Sequence, residues 1–108
     1  MERKISVFFP NSVIDYFDEL LLILYNKNYF SYKSSASDYV LKIYDFIENN
    51  ISTFPHRITP NELKYLGSKY IFYKPNKKTT WYIFFENTKS EYTVTSIMNN
   101  YCKEVNML

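Results

Sequence analysis

Six cationic side chains, Arg57, Lys64, Lys69, Lys74, Lys77 and Lys78, stand between positions 57 and 78 against the single carboxylate of Glu62. That stretch carries +5 in a chain whose net charge is +2. A local positive field of this kind attracts a polyanion or an acidic protein surface and offers little to a neutral small molecule. A solvated lysine surface accounts for the same run, because a lysine taken singly is usually exposed. The N-terminal half is the counterweight: residues 1–54 hold five basic and seven acidic side chains, residues 55–108 eight and four.

Other chemistry is limited by what occurs once. His56 is the only side chain whose ordinary pKa lies near neutrality, which suits a general base, yet it sits in a connection between Pro55 and Arg57. One cysteine, Cys102, and one histidine exclude an internal disulfide and a Cys/His zinc cage. The single glycine, Gly67, excludes the Gly-rich loops that cradle phosphates. No metal or cofactor is expected. Trp81 offers a face for stacking on a base, although the centre of a strand beneath helices favours burial. Asn99 and Asn100 end a strand, where an amide either orients a phosphate or caps a turn.

These residues need a scaffold, and 108 residues suffice for one domain, placed here over 1–108. A chain of this size buries about two-thirds of its unfolded surface, enough for one core without staples. The longest apolar run, Leu20 to Tyr25, falls far short of the ~20 residues of a membrane span. No signal core follows the charged start, so a cytoplasmic location is expected, in keeping with an unpaired thiol.

Alternation of Ile5, Val7 and Phe9 marks a strand over Lys4–Phe9 that Pro10 stops. Ser12, with Asp15 three residues on, reads as the cap of a helix running to about Tyr25 or Asn26 on a stripe of Val13, Phe17, Leu20, Leu21 and Leu24. A second helix, from Ser35 with Asp38 to Asn49-Asn50, carries Ala36, Val40, Ile43 and Ile47, and the connection Tyr29–Ser34 makes the pair an antiparallel hairpin. Thr59-Pro60-Asn61-Glu62 predicts a short helix with Thr59 as cap and Pro60 first inside it. After Gly67 the period becomes two, giving strands over Lys69–Tyr73, Thr80–Glu86 and Tyr92–Met98. Their hairpin loops are Lys74–Lys78 and Asn87–Ser90. The pattern predicts an α+β domain: an N-terminal strand and a two-helix hairpin on one face of a C-terminal antiparallel sheet.

This order of elements resembles the RelE/ParE superfamily of bacterial toxins, the toxin halves of type II toxin–antitoxin pairs. The segments Tyr70-Ile71-Phe72-Tyr73-Lys74-Pro75-Asn76, Thr79-Thr80-Trp81-Tyr82 and Ile97-Met98-Asn99-Asn100 are similar to a Bacteroidetes-like subgroup. Many members carry Tyr-Arg after the connection and a His-x-Arg type ending to the last strand; this chain has Lys69-Tyr70 and Asn99-Asn100-Tyr101 there. The resemblance implies a cognate antitoxin that covers the basic face, and either of two targets. One is messenger RNA on the ribosome, cut without metal; the other is DNA gyrase, inhibited by binding alone. A small nucleic-acid-binding module outside the toxins is the remaining reading.

Metal-free cleavage requires a 2′-hydroxyl to be deprotonated, phosphate charge to be stabilised and a leaving oxygen to be protonated. For a nuclease of this kind, Lys64, Lys69 and Lys74 are the expected phosphate-facing charges and Tyr70 or Tyr82 the proton carriers. Arg57, Lys77, Lys78 and Asn99 would guide the nucleic acid. Alternation sets Lys69, Ile71 and Tyr73 on one strand face and Tyr70 and Phe72 on the other.

Overall fold

The computed structural model describes residues 5–26, 33–75 and 77–108, apart from the side chains of 23–26 and 33–36. Along the chain run β1 (Ser6–Phe8), α1 (Asn11–Asn26), α2 (Lys33–Asn50), β2 (Arg57–Ile58), a 3-10 helix (Asn61–Leu66), β3 (Lys69–Tyr73), β4 (Trp81–Thr88), β5 (Glu91–Asn99) and a second 3-10 helix (Lys103–Met107). The expected α+β class holds, with β3 at the predicted bounds. The connection after α1, Asn76, and the inward positions expected for Leu24 and Ala36 lie outside the described residues.

One five-stranded sheet, in the order β1-β5-β4-β3-β2, unites the strands of the described residues. The expectation of an antiparallel sheet needs correction at its edge. β1 joins β5 in parallel, with Ser6 opposite Glu91 and Phe8 opposite Thr93, so the sheet is mixed. Periodicity marks a strand but not its partner, and this partner lies more than eighty positions away. β2 escapes prediction because two residues carry no period; it pairs Arg57 with Tyr70 and Ile58 with Lys69.

Alternation along β3, β4 and β5 builds the main core on one face. Ile71, Trp81, Ile83, Phe85, Tyr92, Val94 and Ile97 meet Val13, Phe17 and Leu20 of α1 and Val40, Ile43 and Ile47 of α2. Ile43, Ile47, Ile71, Ile83, Phe85 and Val94 are fully buried, each such side chain contributing about 1.5–3 kcal/mol of transfer free energy. The Trp81 indole N–H donates to the Tyr39 hydroxyl at 2.8 Å, which meets the one polar demand of an otherwise apolar ring.

Both helices begin earlier than their serine signals suggest, at Asn11 and Lys33, and neither has an acid in its first turn. α1 opens on Pro10, whose carbonyl accepts the N–H groups of Val13 (2.9 Å) and Ile14 (3.1 Å). Asp15, Asp18 and Glu19 therefore lie past the turn where the helix dipole acts most strongly.

The opposite face of the sheet carries a smaller cluster, Tyr70, Phe84 and Met98, joined by Leu66, Tyr82, Cys102, Val105 and Leu108. Here β5 bulges: Phe84 faces Ser96 and Phe85 faces Val94, leaving Thr95 as the extra residue. Its hydroxyl donates to the Leu66 carbonyl and ties the first 3-10 helix to β5. Gly67 crosses this face at φ +153°, where an added Cβ would lie 2.5 Å from Thr95 Oγ1 and 2.9 Å from both Phe84 Cβ and Phe85 N. Only glycine fits such an approach. The helix it follows is capped by Pro60, not Thr59, and has no side-chain cap bond. Thr59 is instead buried, its hydroxyl without a hydrogen-bond partner.

Candidate functional site

The two helices cover one face of the sheet, and the short 3-10 helices cover only part of the other. Alternation turns Tyr70 and Phe72 of β3 and Tyr82 of β4 to that face, where Tyr70 is buried in the smaller cluster and Phe72 and Tyr82 are half-buried. Beside them Arg57, which pairs with Tyr70 across the β2–β3 ladder, reaches the same side. These four residues, with Lys74, Thr80 and Leu108, line a groove of about 200 Å³.

The groove is built from rings and cations. The rings of Tyr70 and Tyr82 lie 6.1 Å apart by centroid, and those of Phe72 and Tyr82 6.5 Å. The Arg57 guanidinium sits 5.1 Å over the Phe72 ring, a cation–π contact worth about 0.5–1 kcal/mol at an exposed site. Phe54 meets the same Phe72 ring edge-on at 5.2 Å. The guanidinium thus lies over a ring that is itself packed, and its N–H fork remains able to bind an anion. No Asp or Glu side chain stands among the lining residues, and Arg57 and Lys74 are its two cationic side chains.

At its end the groove runs into the β3–β4 loop, where Lys74, Lys77 and Lys78 are exposed. The loop is tied to the end of β5. Asn100 N–H donates to the Thr80 carbonyl at 3.0 Å, and Thr80 N–H donates back to Asn100 Oδ1 at 2.9 Å.

Of the residues expected at a site, Arg57, Tyr70, Lys74 and Tyr82 meet in the groove, and Lys77 and Lys78 stand on the adjoining loop. The other three are elsewhere. Lys69 projects from the helical face of β3 and donates to Asn87 Oδ1 at 3.2 Å, because strand alternation separates it from Tyr70. Lys64 is exposed on the first 3-10 helix and does not line the groove. Asn99 uses Oδ1 within its own turn, accepting from Tyr101 N–H at 2.9 Å, and its strand position faces Trp81 on the helical side. Trp81 itself is 2% exposed and presents no face to a ligand.

His56 is likewise engaged on the helical side. Its ring packs edge-on against Phe85 at 4.8 Å, and its Nε2–H donates to the Ile51 carbonyl at 2.6 Å. Burial pushes the Tyr16 phenol up to about 12, with Cys102 adding to the effect, and also raises Tyr39 and Tyr44. These phenols keep their protons near neutrality and belong to the helical half.

Three contributors were missed in the sequence. Phe72 was legible, since it shares a strand face with Tyr70. Thr80 and Leu108 were not, because they reach the site through a loop tie and a terminal turn that no period announces. Asn100, weighed as an amide that orients a phosphate or caps a turn, holds the turn. Set beside known proteins, the chain matches no family model, no curated protein and no solved structure.

Proposed function

We propose that this chain is a growth-inhibiting toxin of the RelE/ParE kind that takes messenger RNA into the open-face groove and cleaves it on the ribosome. The observation that carries the reading is the meeting of Arg57, Lys74, Tyr70 and Tyr82 on the face of the sheet opposite the two long helices. Two cationic side chains, two phenols and no acidic side chain suit a phosphodiester better than a cation or a neutral metabolite.

In the reaction a 2′-hydroxyl gives up its proton and its oxygen attacks the adjacent phosphorus. The bond to the 5′-oxygen breaks, and that oxygen takes a proton, leaving a 2′,3′-cyclic phosphate and a 5′-hydroxyl. Arg57, lying over the Phe72 ring, offers two parallel N–H bonds to the non-bridging oxygens as charge builds on them. Lys74 adds a second positive charge. Tyr82, the more exposed of the two phenols, exchanges the proton, with Tyr70 beside it. Lys77 and Lys78 draw the strand along the β3–β4 loop. A cognate antitoxin would silence the toxin by laying an acidic segment over this face.

The test is message cleavage on purified ribosomes. The wild type is expected to cut, Tyr82→Phe to lose about 10²–10⁴-fold in rate, and the Arg57→Ala/Lys74→Ala pair to lose both cutting and message binding. Growth arrest with a DNA-damage response and no cleavage would instead assign the chain to the gyrase-binding class.

A further inference from the structure

Asn100 directs three of its polar groups at one loop. Its backbone N–H donates to the Thr80 carbonyl at 3.0 Å. Its Oδ1 accepts Thr80 N–H at 2.9 Å, and its Nδ2 donates to the Lys78 carbonyl at 3.1 Å. The Tyr101 hydroxyl donates to that same carbonyl at 3.1 Å, so Lys78 is gripped at its backbone by two side chains from the end of β5. Tyr101 is in turn set by its N–H bond to Asn99 Oδ1 at 2.9 Å. The loop thus gripped presents Lys77 and Lys78, both exposed, beside a groove that already holds Arg57 and Lys74.

We propose that Asn100, assisted by Tyr101, is the positioning residue that presents the Lys77–Lys78 cations to the backbone of the nucleic acid. This inference rests on the nucleic-acid reading of the groove. Both ends of the Asn100 amide are committed to the protein, so it acts through the loop and does not touch the ligand. The physical reason for such a device is entropic. A lysine-bearing loop with no ladder of its own spreads its charges over many positions and must be ordered on binding. A loop ordered beforehand does not carry that cost at the moment of association. The amide tie also extends the β4–β5 register one step beyond Trp81 and Asn99, so the loop inherits the rigidity of the sheet.

The experiment measures binding of a short fluorescent oligouridylate across a series of salt concentrations. On single strands each phosphate contact contributes roughly 0.7 to the slope of log K against log salt. Removing both cations in Lys77→Ala/Lys78→Ala should therefore flatten the slope by about 1.4. Asn100→Ala, which leaves every charge in place, is expected to flatten it by a similar amount and to make the lysine substitutions nearly silent when combined with them. Tyr101→Phe keeps the ring and should produce a smaller flattening. Hydrogen exchange without RNA supplies the fold control: in Asn100→Ala the Thr80 amide should lose protection while the amides of β3 and β5 keep theirs.

A wild-type slope in Asn100→Ala, or losses that simply add to those of the lysine pair, would overturn the inference and leave the groove reading standing. A wild type that does not bind oligouridylate overturns the groove reading and the inference with it. Should Asn100→Ala fail to fold, Tyr101→Phe decides the matter by the same slope, and a wild-type slope there counts against the proposal.

Discussion

Ile71, Ile83 and Phe85 on the helical face of the sheet are fully buried, whereas Arg57, Phe72, Lys74 and Tyr82 on the other face stay open to solvent. Both sets come largely from the same strands, one position apart. The difference lies in what covers each face. Two helices of sixteen and eighteen residues close the first, while the second receives only two short 3-10 helices and the residues Leu66, Val105 and Leu108. A closed face leaves room for a charge only at its margin, as at Lys69. A half-closed face can hold aromatic rings rigid against a small cluster and keep cations at their rim. The comparison places the main core on one side of the sheet and the cationic groove on the other.

The strongest way to break that division is to weaken the closed side. Phe85→Ala removes a fully buried ring and should cost about 3–5 kcal/mol of stability, read by urea unfolding. Oligouridylate binding by the fraction that remains folded should be unchanged. An altered affinity of the folded fraction would mean that the two faces are coupled through β4.

The open side should respond in the opposite sense. Lys74→Ala should shift stability by less than about 0.5 kcal/mol, and Arg57→Ala by no more than the about 0.5–1 kcal/mol of its contact with Phe72. Oligonucleotide affinity should nevertheless fall on the order of tenfold for the pair at physiological salt, and the salt slope should flatten. If instead the pair lost stability and kept affinity, the groove would be a structural feature and the division would fail.

A smaller effect sharpens the helical side alone. The Tyr16 pKa in the folded chain is about 12, above its ordinary 10.0. The protonated phenol therefore stabilises the fold fully below pH ~10, and this contribution is lost as pH rises from there through the folded value. Tyr39 and Tyr44 shift in the same direction. Urea midpoints should decline above pH ~10, and Tyr16→Phe should make that decline shallower. The smallest expected change is at Thr59, whose buried hydroxyl has no partner. Replacing it by the isosteric valine should leave stability unchanged or raise it by up to about 1 kcal/mol, since no hydrogen bond is lost and a desolvated hydroxyl is removed. A clear loss of stability would show that the hydroxyl has a partner in solution.

The amino-acid order by itself determined the two long helices and the three strands after Gly67, but not β2. Helical spacing of Val13, Phe17 and Leu20, and of Val40, Ile43 and Ile47, was enough to mark two one-sided helices. Alternation after Gly67 was enough to mark three strands and to separate Lys69 from Tyr70, because a period of two is local and needs no partner to be read. The density of positive charge between Arg57 and Lys78 was legible for the same reason. Tertiary structure alone decided which strand face stays open, that β1 closes the sheet in parallel beside β5, and that Arg57 enters the groove while Lys64 and Lys69 do not. It also decided that Asn100 grips the lysine loop instead of ending a strand idly. Each of these depends on a pairing or a covering element far away in the chain, such as the β2–β3 ladder, the two helices over one face, or the amide tie between Asn100 and Thr80. Side-chain periodicity specifies an amphipathic surface, and only packing specifies what is laid against it.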